Sequence, residues 1–267
     1  MTLPDTLTLI RHGYSEANRV VEGARQKTLA ELPEGLYNRH DAHMRLTPRG
    51  VEQAQAAGAW LRANATFDRF YVSPHVRAKE TAAHLSLGGS WRVEDRIRER
   101  DWGEIHYVNP DMSDPLSDES RHNRDLFQWY WEPRAGESLA TGVRLRVESM
   151  MNSMYRKTGV HHPVMVTHEE FLKAARFVIE RMEPDVWEEQ DKDPAYKVQN
   201  AMIIQYSRVN PFNPTEAMRS EYRWRRAICP WDESLSWDGG AWVALEHHKY
   251  SDADLFESVE DFDPLFR

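Results

Sequence analysis

An arginine and a histidine stand side by side near the N-terminus, directly after a short apolar segment. The apolar segment is residues 7–10, and Arg11, His12 and Gly13 follow it. A buried strand that ends in this way offers a cationic guanidinium, a titratable imidazole and a flexible backbone at one point. These residues can hold a phosphoryl group and attack it, because arginine binds two phosphate oxygens at once and imidazole is a nucleophile.

Polar side chains also follow two later apolar segments. Arg77 lies in the first turn of the helix predicted after residues 70–72, and His168 comes two residues after another apolar run. In an open α/β sheet, ligands bind beyond the carboxyl ends of the strands. We therefore expect these side chains to meet the first arginine–histidine pair at one edge of the sheet, beside helix N-termini that favour anions.

A nucleophilic histidine needs an acid that protonates the leaving oxygen. Glu99 is the best candidate for this acid. It lies in the charged run of residues 94–101, and such runs usually form a solvated face. The residues alone leave both interpretations of Glu99 open.

Apolar segments and helix-start signals alternate along the chain. Thr47 and Pro48 indicate an N-cap and a first helical position, and residues 73–74 repeat this signal. Strands are predicted at residues 7–10, 70–72, 91–93, 164–166 and 201–206, with a long helix at residues 138–155 and another after His168. This alternation predicts an α/β fold, a three-layer sandwich with a mostly parallel central sheet covered by helices on both faces.

We expect residues 1–267 to form a single domain with two insertions and a C-terminal extension. The first insertion, at about residues 20–45, is polar and is predicted to be irregular. The second, at about residues 103–133, is predicted to carry a short helix near residues 126–131. The extension, at about residues 207–267, is rich in tryptophan and is expected to cover a sheet edge or to form a subunit contact.

The composition excludes several classes of protein. The chain of 267 residues has a formal net charge of -9, which disfavours nucleic acid as a partner. Its one cysteine, Cys229, permits neither an internal disulfide nor a cysteine-based zinc site. The sequence shows no signal-peptide pattern and no apolar run long enough for a membrane span. We therefore expect a cytoplasmic protein that binds no membrane.

A string of short motifs, taken together, resembles the histidine phosphatase superfamily, and within it the phosphoglycerate mutase-like branch. The resemblance covers about residues 7–206, with the motifs in the order of the family. The motifs are Arg11-His12-Gly13-x-Ser15-x-x-Asn18, Leu46-Thr47-x-x-Gly50, Ser73-x-x-x-Arg77-Ala78-x-x-Thr81, Glu99-x-x-x-Gly103, Gly136-Glu137-Ser138 and Thr167-His168.

The resemblance implies a role for each matching residue. His12 becomes transiently phosphorylated, and Glu99 acts first as general acid and then as base for water. The residues implied to bind the phosphoryl group or the substrate are Arg11, Ser15, Asn18, Arg77 and His168. No metal or other cofactor is implied, because the arginines supply the positive charge that a magnesium ion supplies elsewhere.

One position departs from the family pattern. The superfamily usually has glycine after the second histidine, where this chain has Glu169. A carboxylate at this position would weaken phosphate binding, serve as the proton donor, or point to solvent at a helix N-terminus. We rank Glu99 first and Glu169 second as the acid.

The favoured function is hydrolysis of a small phosphorylated metabolite through a phosphohistidine at His12. A mutase is the first alternative, and it needs extra basic groups around the pocket, of which residues 103–133 offer few. An inactive phosphate-binding module is the second alternative, with the aromatic extension as its partner surface. The sequence leaves a homodimer open.

Overall fold

A sheet of seven strands forms the centre of the fold. The computed structural model describes residues 2–26, 28, 33–36, 39–103, 118–247 and 249–259. In chain order the strands are β1 (Thr6–Arg11), β2 (Arg69–Val72), β3 (Trp91–Val93), β4 (Pro163–Thr167), β5 (Ile203–Ser207), β6 (Trp224–Ile228) and β7 (Val243–Ala244). Across the sheet they lie in the order β3-β2-β4-β1-β5-β6-β7.

The helices of the described ranges are named here in chain order. They are α1 (Glu16–Gln26), α2 (Pro48–Asn64), α3 (Val76–Leu85), α4 (Asp118–Leu126), α5 (Arg144–Arg156), α6 (Glu169–Glu180), α7 (Pro184–Lys192) and α8 (Asp252–Glu257). A π-helical turn, Leu139–Val143, leads directly into α5, and a short 3-10 turn, Asp41–His43, precedes α2. None of these helices is both long and apolar enough to cross a lipid bilayer.

The strands that carry the predicted motifs form the parallel part of the sheet. β4 pairs in parallel with β1 on one side and with β2 on the other, and β2 pairs in parallel with β3. β5, β6 and β7 continue the sheet in antiparallel pairing beyond β1. The parallel core therefore brings the carboxyl ends of β1, β2 and β4 to the same edge.

Successive residues of the central strands face two separate hydrophobic cores. Leu9 and Met165 pack in one core with side chains of α5 and α6. Ile10 and Val166 pack in the other core with side chains of α2 and α3. Helices thus cover both faces of the sheet, and the predicted three-layer α/β sandwich is confirmed.

The structure corrects several details of the predicted elements. A helix, α1, occupies the start of the first insertion, which was expected to be irregular throughout. The helix predicted near residues 126–131 is wrong in position, because α4 ends at Leu126 and a turn follows it. The strand expected at residues 201–206 begins at Ile203. Residues 104–117 of the second insertion lie outside the described residues.

Two glycines allow the loop after β1 to press against the start of α2. A Cβ on Gly13 would lie 2.3 Å from the Gly50 carbonyl oxygen, and a Cβ on Gly50 would lie 2.0 Å from the Tyr14 carbonyl oxygen. Thr47 caps α2 as predicted, because its hydroxyl accepts the Gly50 N–H at 3.2 Å and donates to the Tyr14 carbonyl at 3.0 Å. Gly13 has no positive φ, so close packing rather than flexibility explains its presence.

We predict that Gly50→Ala lowers the free energy of unfolding by about 2 kcal/mol, because the added methyl group would collide with backbone. Within a helix this substitution normally stabilises, so a loss identifies the collision. Gly35→Ala is the matched control, since a Cβ there meets no atom within 4 Å. Urea unfolding measures both variants, and equal midpoints for the two would contradict the packing argument.

Candidate active site

Three strand ends bring the predicted side chains together. His12 follows β1, Arg77 lies in the first turn of α3 after β2, and His168 stands between β4 and α6. The two imidazole ring centroids are 5.1 Å apart. The Arg77 Nε–H donates a hydrogen bond to His12 Nε2 at 3.2 Å. These residues are buried, so they meet in a site shielded from bulk water.

The hydrogen bonds of His12 define its tautomer. His12 Nδ1 lies 2.8 Å from the Gly13 carbonyl oxygen, which can only accept, so Nδ1 carries the hydrogen. His12 Nε2 then carries the lone pair, which accepts the hydrogen bond from the Arg77 Nε–H. Burial, followed by the charges of Arg77 and Arg11, lowers the pKa of His12 well below its ordinary value of 6.5. His12 is therefore neutral at physiological pH, as the predicted role of nucleophile requires.

A buried arginine N–H that has no partner among the described residues marks a place for an anion. Within the described residues, Arg11 Nε and His168 Nδ1 are buried and have no hydrogen-bond partner. His168 Nε2 lies 2.7 Å from Ser73 Oγ, which orients the ring. Burial and the charge of Arg77 lower the pKa of His168. An arginine N–H with no partner inside a protein is costly, and a phosphoryl oxygen would satisfy it.

The serine–proline signal predicted that Ser73 caps a helix. This prediction is wrong. α3 begins at Val76, and the N-cap position is occupied by His75 without a side-chain cap. Ser73 Oγ instead contacts His168 and accepts the His75 N–H at 3.3 Å. This serine therefore belongs to the site, and the helix starts later than predicted.

Glu99 lies beside His168 with the properties of a proton donor. Its side chain is 11% exposed, and its Oε2 is 3.7 Å from His168 Nδ1. Burial raises the pKa of Glu99 to about 7, with Arg77 opposing the rise and the charge of Glu170 adding to it. A carboxyl with this pKa holds a proton at neutral pH and can still release it.

Glu169 forms an ion pair with a predicted phosphate-binding residue. Its Oε2 lies 2.6 Å from Arg11 Nη2, and its Oε1 lies 3.6 Å from Lys173 Nζ. Burial alone would raise the pKa of Glu169, but these two cations outweigh burial and hold the pKa below its ordinary value. Glu169 is therefore ionised, which favours Glu99 as the proton donor and argues against a side chain that simply faces solvent.

Asn18 and Ser15 are hydrogen-bonded to each other. The Ser15 hydroxyl donates to Asn18 Oδ1 at 3.0 Å, and the Ser15 N–H donates to the same oxygen at 3.1 Å. Ser15 is fully buried, so in this structure it orients Asn18. Their predicted contacts with substrate stay predictions.

Two further residues contact the candidate site and lie outside the sequence motifs. Asn200 Nδ2 donates to the His12 carbonyl oxygen at 3.2 Å and to Asn18 Oδ1 at 3.1 Å. Asp41 binds the guanidinium of Arg77 through its carbonyl oxygen at 2.5 Å and its carboxylate at 3.2 Å. Neither lies in a recognised motif, and a single polar residue before a strand or in a polar insertion gives no signal of its own.

Glu137, which the motifs contained without a role, holds the Glu99 segment in place. Its carboxylate accepts hydrogen bonds from Arg98 at 2.8 Å, from Arg146 at 2.7 Å and from the Asp101 N–H at 3.0 Å. These contacts lie on both sides of Glu99 in the chain. Glu137 therefore positions the segment that carries Glu99, the predicted proton donor.

The family of the chain follows from comparison with known proteins. The sequence matches the histidine phosphatase superfamily (branch 1) over residues 7–196. The chain belongs to this superfamily. The matched range contains both arginines, both histidines and the two glutamates of the candidate site, whereas Asn200 lies beyond it.

Several individual proteins resemble this member of the superfamily. A phosphoglycerate mutase-like protein of Arabidopsis thaliana is 31% identical over 169 residues, which cover 58% of this chain and 48% of that protein. A 2,3-bisphosphoglycerate-dependent phosphoglycerate mutase of Methylorubrum extorquens is 27% identical over 190 residues, covering 66% and 79%. The structure of an Entamoeba histolytica phosphoserine phosphatase with phosphoserine matches with a TM-score of 0.58 at 19% identity, covering 78% and 91%. This chain thus spans about half of the Arabidopsis protein.

The site also has a spacing at which a metal ion can be held. His12, Glu99 and His168 offer ligand atoms within 4.8 Å of one another. The charges of Arg77 and Arg11 oppose a cation, since they already lower the pKa of both imidazoles. Glu99 would also have to lose its proton before it could coordinate. The group suits a phosphoryl dianion better, and the expected absence of a metal stays a prediction.

The raised pKa of Glu99 predicts a pH-dependent stability. Its pKa is about 7 in the folded protein against an ordinary 4.5, so the folded state holds this proton more tightly. This stabilisation is complete at pH values below the ordinary pKa of 4.5. It is lost as the pH rises through the pKa of about 7 in the folded protein. Relative to Glu99→Gln, the wild-type protein should lose about 3 kcal/mol of unfolding free energy between about pH 4 and about pH 8. Urea unfolding of both proteins at each pH measures this loss. A difference in unfolding free energy between the two proteins that does not change with pH would contradict the prediction.

Proposed function

We propose that the protein is a phosphomonoester hydrolase that acts through a phosphohistidine at His12 on a small phosphorylated metabolite. One observation carries the proposal. A buried, neutral imidazole lies beside two arginines. Around it lie the nitrogen atoms of Arg11 and His168 that have no hydrogen-bond partner among the described residues, and a carboxyl with a pKa of about 7. This is the set of groups that phosphoryl transfer to histidine requires.

In the first step, the lone pair of His12 Nε2 attacks phosphorus. The bond between phosphorus and Nε2 forms while the bond to the ester oxygen breaks. Glu99 donates its proton to the departing oxygen, so the alcohol leaves neutral. Arg11, Arg77 and His168 stabilise the negative charge on the equatorial oxygens, which is where charge accumulates in this reaction.

In the second step, water attacks the same phosphorus atom from the side the alcohol has left. The Glu99 carboxylate accepts a proton from the water, and the bond between phosphorus and Nε2 breaks with its electron pair returning to His12. Inorganic phosphate departs, and both residues regain their starting protonation. A pKa near 7 suits Glu99 to act alternately as acid and base at neutral pH.

The relatives support the choice of substrate class. The phosphoserine phosphatase of similar fold carries phosphoserine, a small phosphate monoester. The mutase match from Methylorubrum extorquens keeps a phosphoglycerate mutase as the second candidate function. A mutase must be primed by a bisphosphate, so dependence of activity on added 2,3-bisphosphoglycerate would identify it.

A single domain with insertions, a cytoplasmic location and a homodimer stay predictions from the sequence.

The first test is phosphate release from p-nitrophenyl phosphate in the presence of a metal chelator. We expect turnover by the wild-type protein and a loss of at least about a thousandfold in His12→Ala, since no other group replaces the nucleophile. His161→Ala is the matched control, because His161 is exposed and precedes β4 at the opposite edge of the sheet. Wild-type protein that releases no phosphate, or equal rates in all three proteins, would refute the proposal.

The second test assigns the proton donor. Glu99→Gln should lower kcat/KM for an alkyl phosphate by about 10²–10⁴-fold and kcat/KM for p-nitrophenyl phosphate far less, because nitrophenolate leaves without a proton. Glu169→Gln should slow both esters to the same extent. The ratio of kcat/KM values for the two esters is the measurement, because kcat/KM reports the steps up to the phosphohistidine and excludes its hydrolysis, which both esters share. If Glu169→Gln changes this ratio and Glu99→Gln does not, the roles of the two glutamates are reversed.

A further inference from the structure

Arg11 is held at the edge of the sheet by two contacts that leave its Nε–H available. Its Nη1 donates to the Val198 carbonyl oxygen at 2.5 Å, and its Nη2 lies 2.6 Å from Glu169 Oε2. Its Nε is buried and has no hydrogen-bond partner within the described part of the chain. Glu169 follows β4 and Val198 precedes β5, and these two strands flank β1. The guanidinium is therefore fixed by two separate segments of the chain.

Arg11 lies beside both histidines of the candidate site. It directly precedes His12, and in the sheet it is the register partner of Thr167, which directly precedes His168. Its charge also contributes to the lowered pKa of each imidazole. Nη1 and Nη2 each keep a second hydrogen besides the Nε–H, so a phosphoryl group can bind Arg11 while both contacts stay in place. Substrate binding therefore does not require Glu169 to be displaced.

The carboxylate of Glu169 is held at both of its oxygens. While Oε2 contacts Arg11, Oε1 lies 3.6 Å from Lys173 Nζ, one turn further along α6. Lys173 Nζ lies in turn 2.9 Å from Asp191 of α7 and 3.2 Å from Glu170 Oε1. Glu169 is ionised, so its contact with Arg11 is a charge-assisted one. A carboxylate that is fixed in this way can hold its arginine partner in one orientation.

Glu169 has two opposing effects on a phosphate bound at Arg11. Without the Glu169 side chain, Arg11 would keep only the Val198 contact of these two, and its guanidinium could rotate about that contact. A mobile arginine loses conformational entropy when it binds an anion, so a fixed arginine binds more strongly. The charge of Glu169, in contrast, repels a phosphate dianion. Because the two effects change activity in opposite directions, an experiment can separate them.

We propose that Glu169 is a positioning residue that fixes the guanidinium of Arg11 and so presents its Nε–H to a phosphoryl oxygen. This positioning outweighs the repulsion between the Glu169 charge and the phosphate. The proposal rests on the proposed hydrolysis and gives Glu169 a role other than that of proton donor. A proton donor acts independently of Arg11, whereas this positioning residue acts only through it.

A double-mutant cycle with p-nitrophenyl phosphate tests this role. Glu169→Ala should lower kcat/KM by about tenfold when Arg11 is present, because the guanidinium loses one of its two contacts. Glu169→Gln should lower it less, since the amide oxygen still accepts a hydrogen bond from Nη2. In an Arg11→Met background, Glu169→Ala should raise kcat/KM, because the carboxylate there only repels phosphate.

Glu148→Ala is the matched control. Glu148 pairs with Arg144 at 3.2 Å on α5, its side chain is 38% exposed, and the substitution removes the same charge. Its kcat/KM should equal that of the parent protein with Arg11 present and in the Arg11→Met background. Circular dichroism confirms that each variant is folded.

A rise or no change in kcat/KM for Glu169→Ala with Arg11 present would overturn the proposal, because repulsion would then equal or exceed positioning. An equal loss with and without Arg11 would also overturn it, since Glu169 would then act independently of Arg11. Equal losses in Glu169→Gln and Glu169→Ala would assign the effect to charge and not to the contact, which contradicts positioning.

The proposed hydrolysis fails by itself if the wild-type protein releases no phosphate. The same cycle is then measured as the Kd of inorganic phosphate by calorimetry. Weaker binding in Glu169→Ala with Arg11 present, and tighter binding in the Arg11→Met background, supports positioning. Tighter binding in both backgrounds overturns it.

Discussion

The site depends on keeping one buried imidazole neutral between two permanent cations. Burial and the charges of Arg77 and Arg11 all disfavour a second proton on His12. Its Nε2 therefore stays unprotonated at pH values well below the ordinary pKa of histidine. The same burial has the opposite effect on Glu99, which holds its proton to about pH 7. One dry environment therefore holds a neutral imidazole and a protonated carboxyl at the same pH, which is how two titratable groups can be given different roles.

The surrounding chain keeps this arrangement rigid through backbone contacts. Gly13 packs against Gly50, and its N–H donates to the Thr81 hydroxyl at 3.0 Å. The His12 carbonyl oxygen accepts the Ala201 N–H at 3.1 Å as well as the Asn200 side chain. The nucleophile is thus fixed from α2, α3 and the segment before β5, and its position does not rely on its own side-chain contacts alone.

The residues that the sequence predicted are those tied to a repeated local signal. Arg11 ends a buried parallel strand, and Arg77 and His168 each follow one, so topology alone places them at one edge. Asp41 and Asn200 reach the site from a polar insertion and from a segment far along the chain, and only the folded packing shows that they contact Arg77 and His12. The antiparallel strands β6 and β7 were missed for a related reason, since short aromatic and basic segments give no clear alternation.

The protonation state of His12 matters only if this residue carries the phosphoryl group. A rapid-quench experiment tests directly whether His12 is phosphorylated. The protein is mixed with a labelled phosphate ester and quenched in alkali within the first turnover, and its peptides are then examined by mass spectrometry. Our account predicts an acid-labile, alkali-stable phosphoryl group on His12 that forms no slower than turnover and then decays. Release of phosphate with no label on the protein, or with the label on another residue, would contradict the account.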